Sequence, residues 1–250
     1  MEALLLAGLS LRGVAFWFCA KAHATHKARW DLAFFAGSSL AAFSQGVMLG
    51  LSIVGYRHGI AEWLFAATIG FGLAAGCVLL GATWLIMKSS GELQLRAVGW
   101  ARSSLWFTGT GIAAVSIATP LVSQRIFDKW FALPQLILLL PIPLATALMF
   151  FIIARTLRRL PTRLRDGNEY GAWVPFAGTV GVFMLAFYGL AYSLFPYLVV
   201  ERVTIWDAAS APESLMIIPI GALVVLPVIA GYTLYSWRVF GGKTQLLHYS

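Results

Sequence analysis

Few residues in this chain have the types and spacing that chemistry needs. The four histidines are His23, His26, His58 and His248, and each falls between apolar stretches or in the tail. A haem carried by a helix bundle needs an axial His or Met aimed at the bundle interior. The chain is therefore expected to hold no haem by itself. His23 and His26, at i, i+3, make half of a metal site and read more simply as a solvated turn. Met48, Met149 and Met184 read as apolar filler rather than ligands. There is no Gly-x-x-x-x-Gly-Lys-Ser/Thr phosphate loop, no HExxH and no Cys-x-x-Cys.

Ionisable residues in or beside apolar stretches give the better lead, because a charge in hydrocarbon is costly and is kept for a partner or a pathway. Arg12 lies inside the first apolar stretch with no carboxylate within a turn, so it is expected to pair with another helix or another chain. Asp31 is expected to open the second helix as a charge on its macrodipole. Glu92 stands four residues before Arg96, the spacing of a helical ion pair, in what reads as an amphipathic connection. Trp206 and Asp207 sit together in a loop before the last apolar stretch.

Seven long apolar stretches must position these residues: Ala3–Phe18, Phe34–Gly55, Leu64–Met87, Leu105–Val122, Leu136–Ile153, Gly171–Phe195 and Leu215–Trp237. A helix crosses the bilayer core in ~20 residues, and a spanning segment must satisfy its own backbone hydrogen bonds. The charged fraction is 11%, against about 25% for soluble domains, and the mean hydropathy is +0.80. Residues 1–250 therefore read as one all-α, polytopic transmembrane domain of about seven helices. Pro141 and Pro143 are expected to kink the fifth helix, and Pro219 and Pro227 the seventh. Ser210 and Glu213 stand at capping-box spacing. Gly72 and Gly76 make a small-xxx-small face.

The net charge of +8 is distributed by loop. Lys21, Lys27 and Arg29 follow the first stretch, Lys88, Arg96 and Arg102 the third, and Arg155 to Arg165 the fifth. Arg238 and Lys243 follow the seventh, while the alternate loops hold only Arg57, Arg125, Lys129 and Arg202. This is the positive-inside pattern. It places the C-terminus and the Arg155–Arg165 loop in the cytoplasm and the Trp206-Asp207 loop outside. The basic balance sets topology and contact with anionic membrane lipid; no element that reads nucleic acid is visible. Cys19 and Cys77 are placed too differently for a disulfide, and Cys77 reads as a packing residue. Trp residues such as Trp63, Trp84, Trp173 and Trp237 mark helix ends, where an indole suits the interface. Met1–Phe18 lacks the basic n-region and cleavage site of a signal peptide.

Several strings stand in a particular order: Leu11-Arg-Gly-Val-Ala-Phe16, Trp30-Asp31 with Phe34-Phe35 and Gly37-Ser38, Gly81-Ala-Thr-Trp-Leu85 running to Gly91-Glu-Leu93, Thr204-Ile-Trp-Asp-Ala208, and Gly231-Tyr-Thr with Tyr235-Ser-Trp237. With this order and helix spacing the chain resembles subunit II of the cytochrome bd quinol oxidases, nearest to the cyanide-insensitive branch. The resemblance covers essentially the whole chain. It departs in two places. The family's first two helices, with their Asp-Gly-Phe-Asp and Trp-Asp-Gly-Asn-Glu strings, have no counterpart, so the chain resembles an N-terminally shortened version. Trp17 and Cys19 also stand where the family has an acidic residue and an Arg. The proton or structural-quinone roles tied to the acidic strings are therefore not carried over.

The resemblance implies a heterodimer in the bacterial inner membrane. Subunit I would hold haems b and d and the quinol-oxidising loop, and this chain would support it while the complex oxidises quinol and reduces dioxygen to water. No cofactor is expected on this chain alone, and quinone is expected only through the complex. Two alternatives stand beside this reading: a small-solute transporter, to which kinked helices and an intramembrane Arg also suit, and a truncated subunit with only a packing role.

Overall fold

The computed structural model describes residues 1–21, 24–57, 59–122, 124–133, 135–200, 202–239 and 241–243. The elements run α1 (Glu2–Lys21), α2 (Ala24–Ile53), α3 (Ile60–Lys88), α4 (Gly91–Val122), α5 (Gln124–Phe131), α6 (Gln135–Leu139), α7 (Pro141–Arg165), α8 (Val174–Leu194), β1 (Tyr197–Val199), β2 (Val203–Thr204) and α9 (Pro212–Val239). Among the described residues, seven helices are long and apolar enough to cross a membrane. The fold is all-α and polytopic, as the hydropathy pattern predicts. The small exception is the antiparallel β1–β2 pair between α8 and α9.

Four of the long helices close a ring: α3 packs on α4, α4 on α7, α7 on α8, and α8 back on α3. Leu79 and Ile86 of α3, Val98 and Ala101 of α4, Ile153, Leu157 and Leu160 of α7, and Val182 of α8 fill its centre. The buried hydroxyls of Thr83, Thr108 and Thr179 donate to carbonyls of their own helices, so the ring interior is apolar without orphaned donors at these positions. The α1–α2 hairpin attaches outside this ring through α2 and α3. Contact there is close because both sides are small. A Cβ built on Gly46 would fall 2.6 Å from Gly70 Cα, so any larger residue at Gly46 forces the two backbones apart. Gly8 and Gly37 close the α1–α2 seam in the same way.

Several boundaries differ from the sequence reading. The basic run Arg155–Arg165 is not a loop; α7 stays helical to Arg165, with Ile153, Leu157 and Leu160 buried against the ring. Helix continuation there is set by this aliphatic stripe rather than by membrane thickness. Gly91-to-Arg96 is likewise the opening of α4 and not a separate connection. Pro141 and Pro143 stand at the junction of α6 and α7, where Leu140 keeps helical dihedrals, Leu140 N donates to Leu136 O and Leu144 N donates to Leu140 O. The two missing N–H groups interrupt the ladder there within the single apolar span Leu136–Arg165. Pro219 and Pro227 do lie inside α9.

The last helix is unlike the others. No residue of α9 is buried, and it meets the bundle through its C-terminal end. There Trp237 packs edge-on against Trp84 at 5.2 Å and near Phe176. Lys88 Nζ lies over both indoles and donates to Gly242 O, and Lys243 pairs with Glu169. Ile217, Ile220, Leu223, Val228 and Tyr232 are all more than half exposed along the shaft.

Candidate functional site

The structure does not gather the sequence candidates into one centre. Arg12 is exposed on α1, beside the Gly8–Gly37 seam, where its backbone N approaches Gly37. Its guanidinium makes no hydrogen bond or ion pair among the described residues. Glu92 and Arg96 pair at 2.6 Å with both side chains well exposed. The spacing argument holds, and the pair is an ordinary surface contact of small energetic weight.

Asp31 requires a correction. It does not open the second helix, because α2 begins at Ala24 and has no acidic residue in its first turn. The helix dipole acts over one terminal turn, so it does not explain this carboxylate. Instead Asp31 Oδ1 accepts from Cys19 Sγ at 3.2 Å, joining the end of α1 to α2. Phe18 stacks on Trp30 alongside, at 4.9 Å.

At the opposite end of the bundle, Thr204 and Asp207 close a tight turn. Asp207 Oδ2 accepts from Thr204 Oγ1 at 2.6 Å and from Thr204 N, and Asp207 N donates back to Thr204 Oγ1. These bonds stabilise the ionised form and hold the Asp207 carboxyl below the usual carboxylate range. Trp206, exposed, meets Phe195 edge-on. The position of both residues in the α8–α9 connection matches the sequence reading; their bonding makes the pair a turn lock.

Two cations that the sequence reading treated only as topology signals sit nearby. Lys129 Nζ donates to Tyr192 O at 2.5 Å and Phe195 O at 2.8 Å, and Arg125 Nη2 reaches Phe195 O at 3.2 Å. They satisfy carbonyls that the end of α8 leaves open, at the negative end of its dipole. Desolvation, with Arg125 adjacent, pulls Lys129 below the ordinary lysine value. The Arg125 guanidinium also lies 4.0 Å from the Tyr197 ring centre. Charge type and spacing alone give no hint of this, since the acceptors are backbone atoms 63 to 70 residues away.

His26 is not in a loop. It stands exposed in the first turn of α2, while His23, His58 and His248 lie outside the described residues. Among the described residues there is no cluster of His, Cys, Asp and Glu of metal-binding size. His26 stands at the start of α2, outside the ring, and Met184 is half exposed on α8. Cys77 is exposed rather than packed; it lines an outer groove of about 670 Å³ with Phe35, Phe71, Gly72, Phe107 and Gly111.

The decisive comparison is with known sequences. Residues 2–240 match the family described as cytochrome bd terminal oxidase subunit II. The chain belongs to that family. This subunit II is 26% identical over 279 residues to cytochrome bd-I ubiquinol oxidase subunit 2 of Escherichia coli K12, covering 97% of this chain and 73% of the relative. It is also 26% identical over 257 residues to cytochrome bd ubiquinol oxidase subunit 2 of Bacillus subtilis 168, covering 95% of this chain and 70% of that one. Together with the seven apolar helices, family membership makes it a multi-pass bacterial membrane protein and a subunit of a respiratory oxidoreductase.

Proposed function

We propose that this chain is the accessory subunit II of a quinol-oxidising, dioxygen-reducing complex, and that haems b and d are held by a partner subunit I. The observation that carries the reading is the match across residues 2–240, which leaves almost no part of the chain for a separate activity. Two structural features support it. The ring centre is filled by aliphatic side chains, so the chain offers a packed scaffold rather than a ligand chamber. Helix α9 exposes its whole shaft, and an apolar helix anchored only at one end supplies contact area to a second membrane bundle.

In this reading the chain's residues act by position. The ring carries α2 on its α3 side and the C-terminal end of α9 at Trp84, the turn at Thr204–Asp207 fixes where α9 re-enters the membrane, and the Lys129–Arg125 pair fixes the end of α8. The positive-inside bias supports a cytoplasmic C-terminus, with the Arg155–Arg165 end of α7 on the same side. Deleting the chain in a bacterium that relies on this oxidase tests the proposal. Quinol-driven oxygen uptake by its membranes falls to background and returns when the chain is supplied on a plasmid. Unchanged uptake would contradict it.

A further inference from the structure

The basic half of α7 sorts its arginines by depth. The apolar run Leu136–Ile153 rises about 27 Å, which sets the edge of the hydrocarbon core near Ile153. Arg155, Arg158 and Arg159 follow within about 9 Å of rise, the depth of one headgroup layer for side chains of this reach. Trp100 of α4 is half exposed at the same level, where an indole suits the interface; Arg102, two residues on, donates to Leu157 O. Arg163 and Arg165 stand beyond that layer, in the last turn of α7.

The same residues are sorted by face. Ile153, Leu157 and Leu160 are buried against the ring. Arg155, Arg158 and Arg159 occupy an arc of about 100° on the opposite side of the helix, and all three are exposed. They stand at i, i+3 and i+4, where like charges repel on a helix. No Asp or Glu lies between Phe151 and Arg165. Among the described residues the three guanidiniums make no hydrogen bond or ion pair. The helix dipole acts on the last turn, so it accounts for Arg163 and Arg165 and not for these three. Positive-inside bias counts Lys and Arg beside a span and requires no shared face.

We propose that Arg155, Arg158 and Arg159 form a site for the phosphate of an anionic phospholipid. The phosphodiester oxygens of a bilayer lie at this depth and take the two parallel N–H bonds of a guanidinium fork. Their charge also offsets the repulsion within the arginine face. An anionic lipid is preferred to a zwitterionic one, because it brings no cation of its own toward the neighbouring arginines. The site stands apart from the subunit reading, since it needs only this chain and the membrane.

The test uses the full chain, with whatever accompanies it, purified in mild detergent from its own bacterium. Phosphatidylglycerol and phosphatidylcholine are added in equal amount, and native mass spectrometry is expected to find the first retained about tenfold more. Arg158→Gln with Arg159→Gln removes two charges from the face and lowers that retention about tenfold. Arg163→Gln with Arg165→Gln removes two charges from the last turn and leaves it unchanged. Arg158→Lys with Arg159→Lys keeps the charge, and with it the membrane orientation, but retains only part of the lipid. Millimolar inorganic phosphate does not displace the lipid. Equal retention of the two lipids, equal loss in the two glutamine variants, full retention in the lysine variant or displacement by inorganic phosphate would overturn the proposal. A phosphatidylglycerol with a photoreactive headgroup reads the site in the unaltered chain. Irradiated membranes should carry the label on the Ala154–Arg163 peptide, and labelling confined to other segments would equally overturn it.

Discussion

Arg102 of α4 serves the carbonyl that Pro161 leaves open in α7. Leu157 O would accept the N–H four residues on, but that residue is proline and has none to give. Arg102 Nη2 and Nε donate to Leu157 O at 2.7 and 3.1 Å, and Nη2 also reaches Arg158 O at 3.2 Å. A basic residue that reads as a topology signal is thus a clamp between two walls of the ring.

Arg102→Leu is expected to destabilise the protein by about 1–2 kcal/mol, the worth of charge-assisted bonds to a carbonyl left without other donors. Pro161→Ala restores a ladder N–H, so the same Arg102→Leu change should cost less in that background. Equilibrium unfolding in mixed micelles of the two single variants and the double variant measures the coupling. Strict additivity would mean the clamp does not compensate for the proline.

The turn at Thr204–Asp207 is expected to depend on pH. Asp207 titrates lower when folded than when unfolded, so its bonds contribute in full above the unfolded value and fade as pH falls through the folded one. The protection of amides around Thr204 from hydrogen exchange, taken relative to their intrinsic rate at each pH, should fall on acidification below about pH 4. Thr204→Val removes the hydroxyl and should move the carboxyl back toward its ordinary value. Exchange insensitive to both changes would show that the turn is held by other contacts.

Orientation can be read by reporter fusion. A reporter placed after Arg165 is expected to be active only when cytoplasmic, and one within the Trp206–Ala208 turn only when outside. Replacing Arg155, Arg159 and Arg163 by Gln should weaken this orientation, because Lys and Arg near helix ends set it. The opposite activity pattern would invert the proposed topology.

The seven spans were legible because each is an apolar run with charges at its borders, and membrane burial leaves no other backbone solution. What the hydropathy pattern misses follows from a different cause. Arg102, Arg125 and Lys129 are held by carbonyls of distant helices, and a backbone acceptor leaves no trace in residue type. Hydropathy marks the membrane border rather than the helix end, because Thr25–Arg29 is polar yet helical; a carboxylate at that border, Asp31, therefore reads as a terminal charge although it lies two turns inside α2. The Glu92–Arg96 pair was readable because its spacing lies within one helix.

What accompanies this chain out of the membrane tests its role as subunit II most directly. Tagged at the N-terminus and purified in mild detergent from the bacterium that makes the whole complex, it should bring one haem-bearing polypeptide in equal amount, with a Soret band and quinol-driven oxygen uptake. The same chain made without that partner should show no Soret band. A chain that leaves its own bacterial membrane without haem, or one that binds haem alone, would contradict its assignment as the accessory subunit.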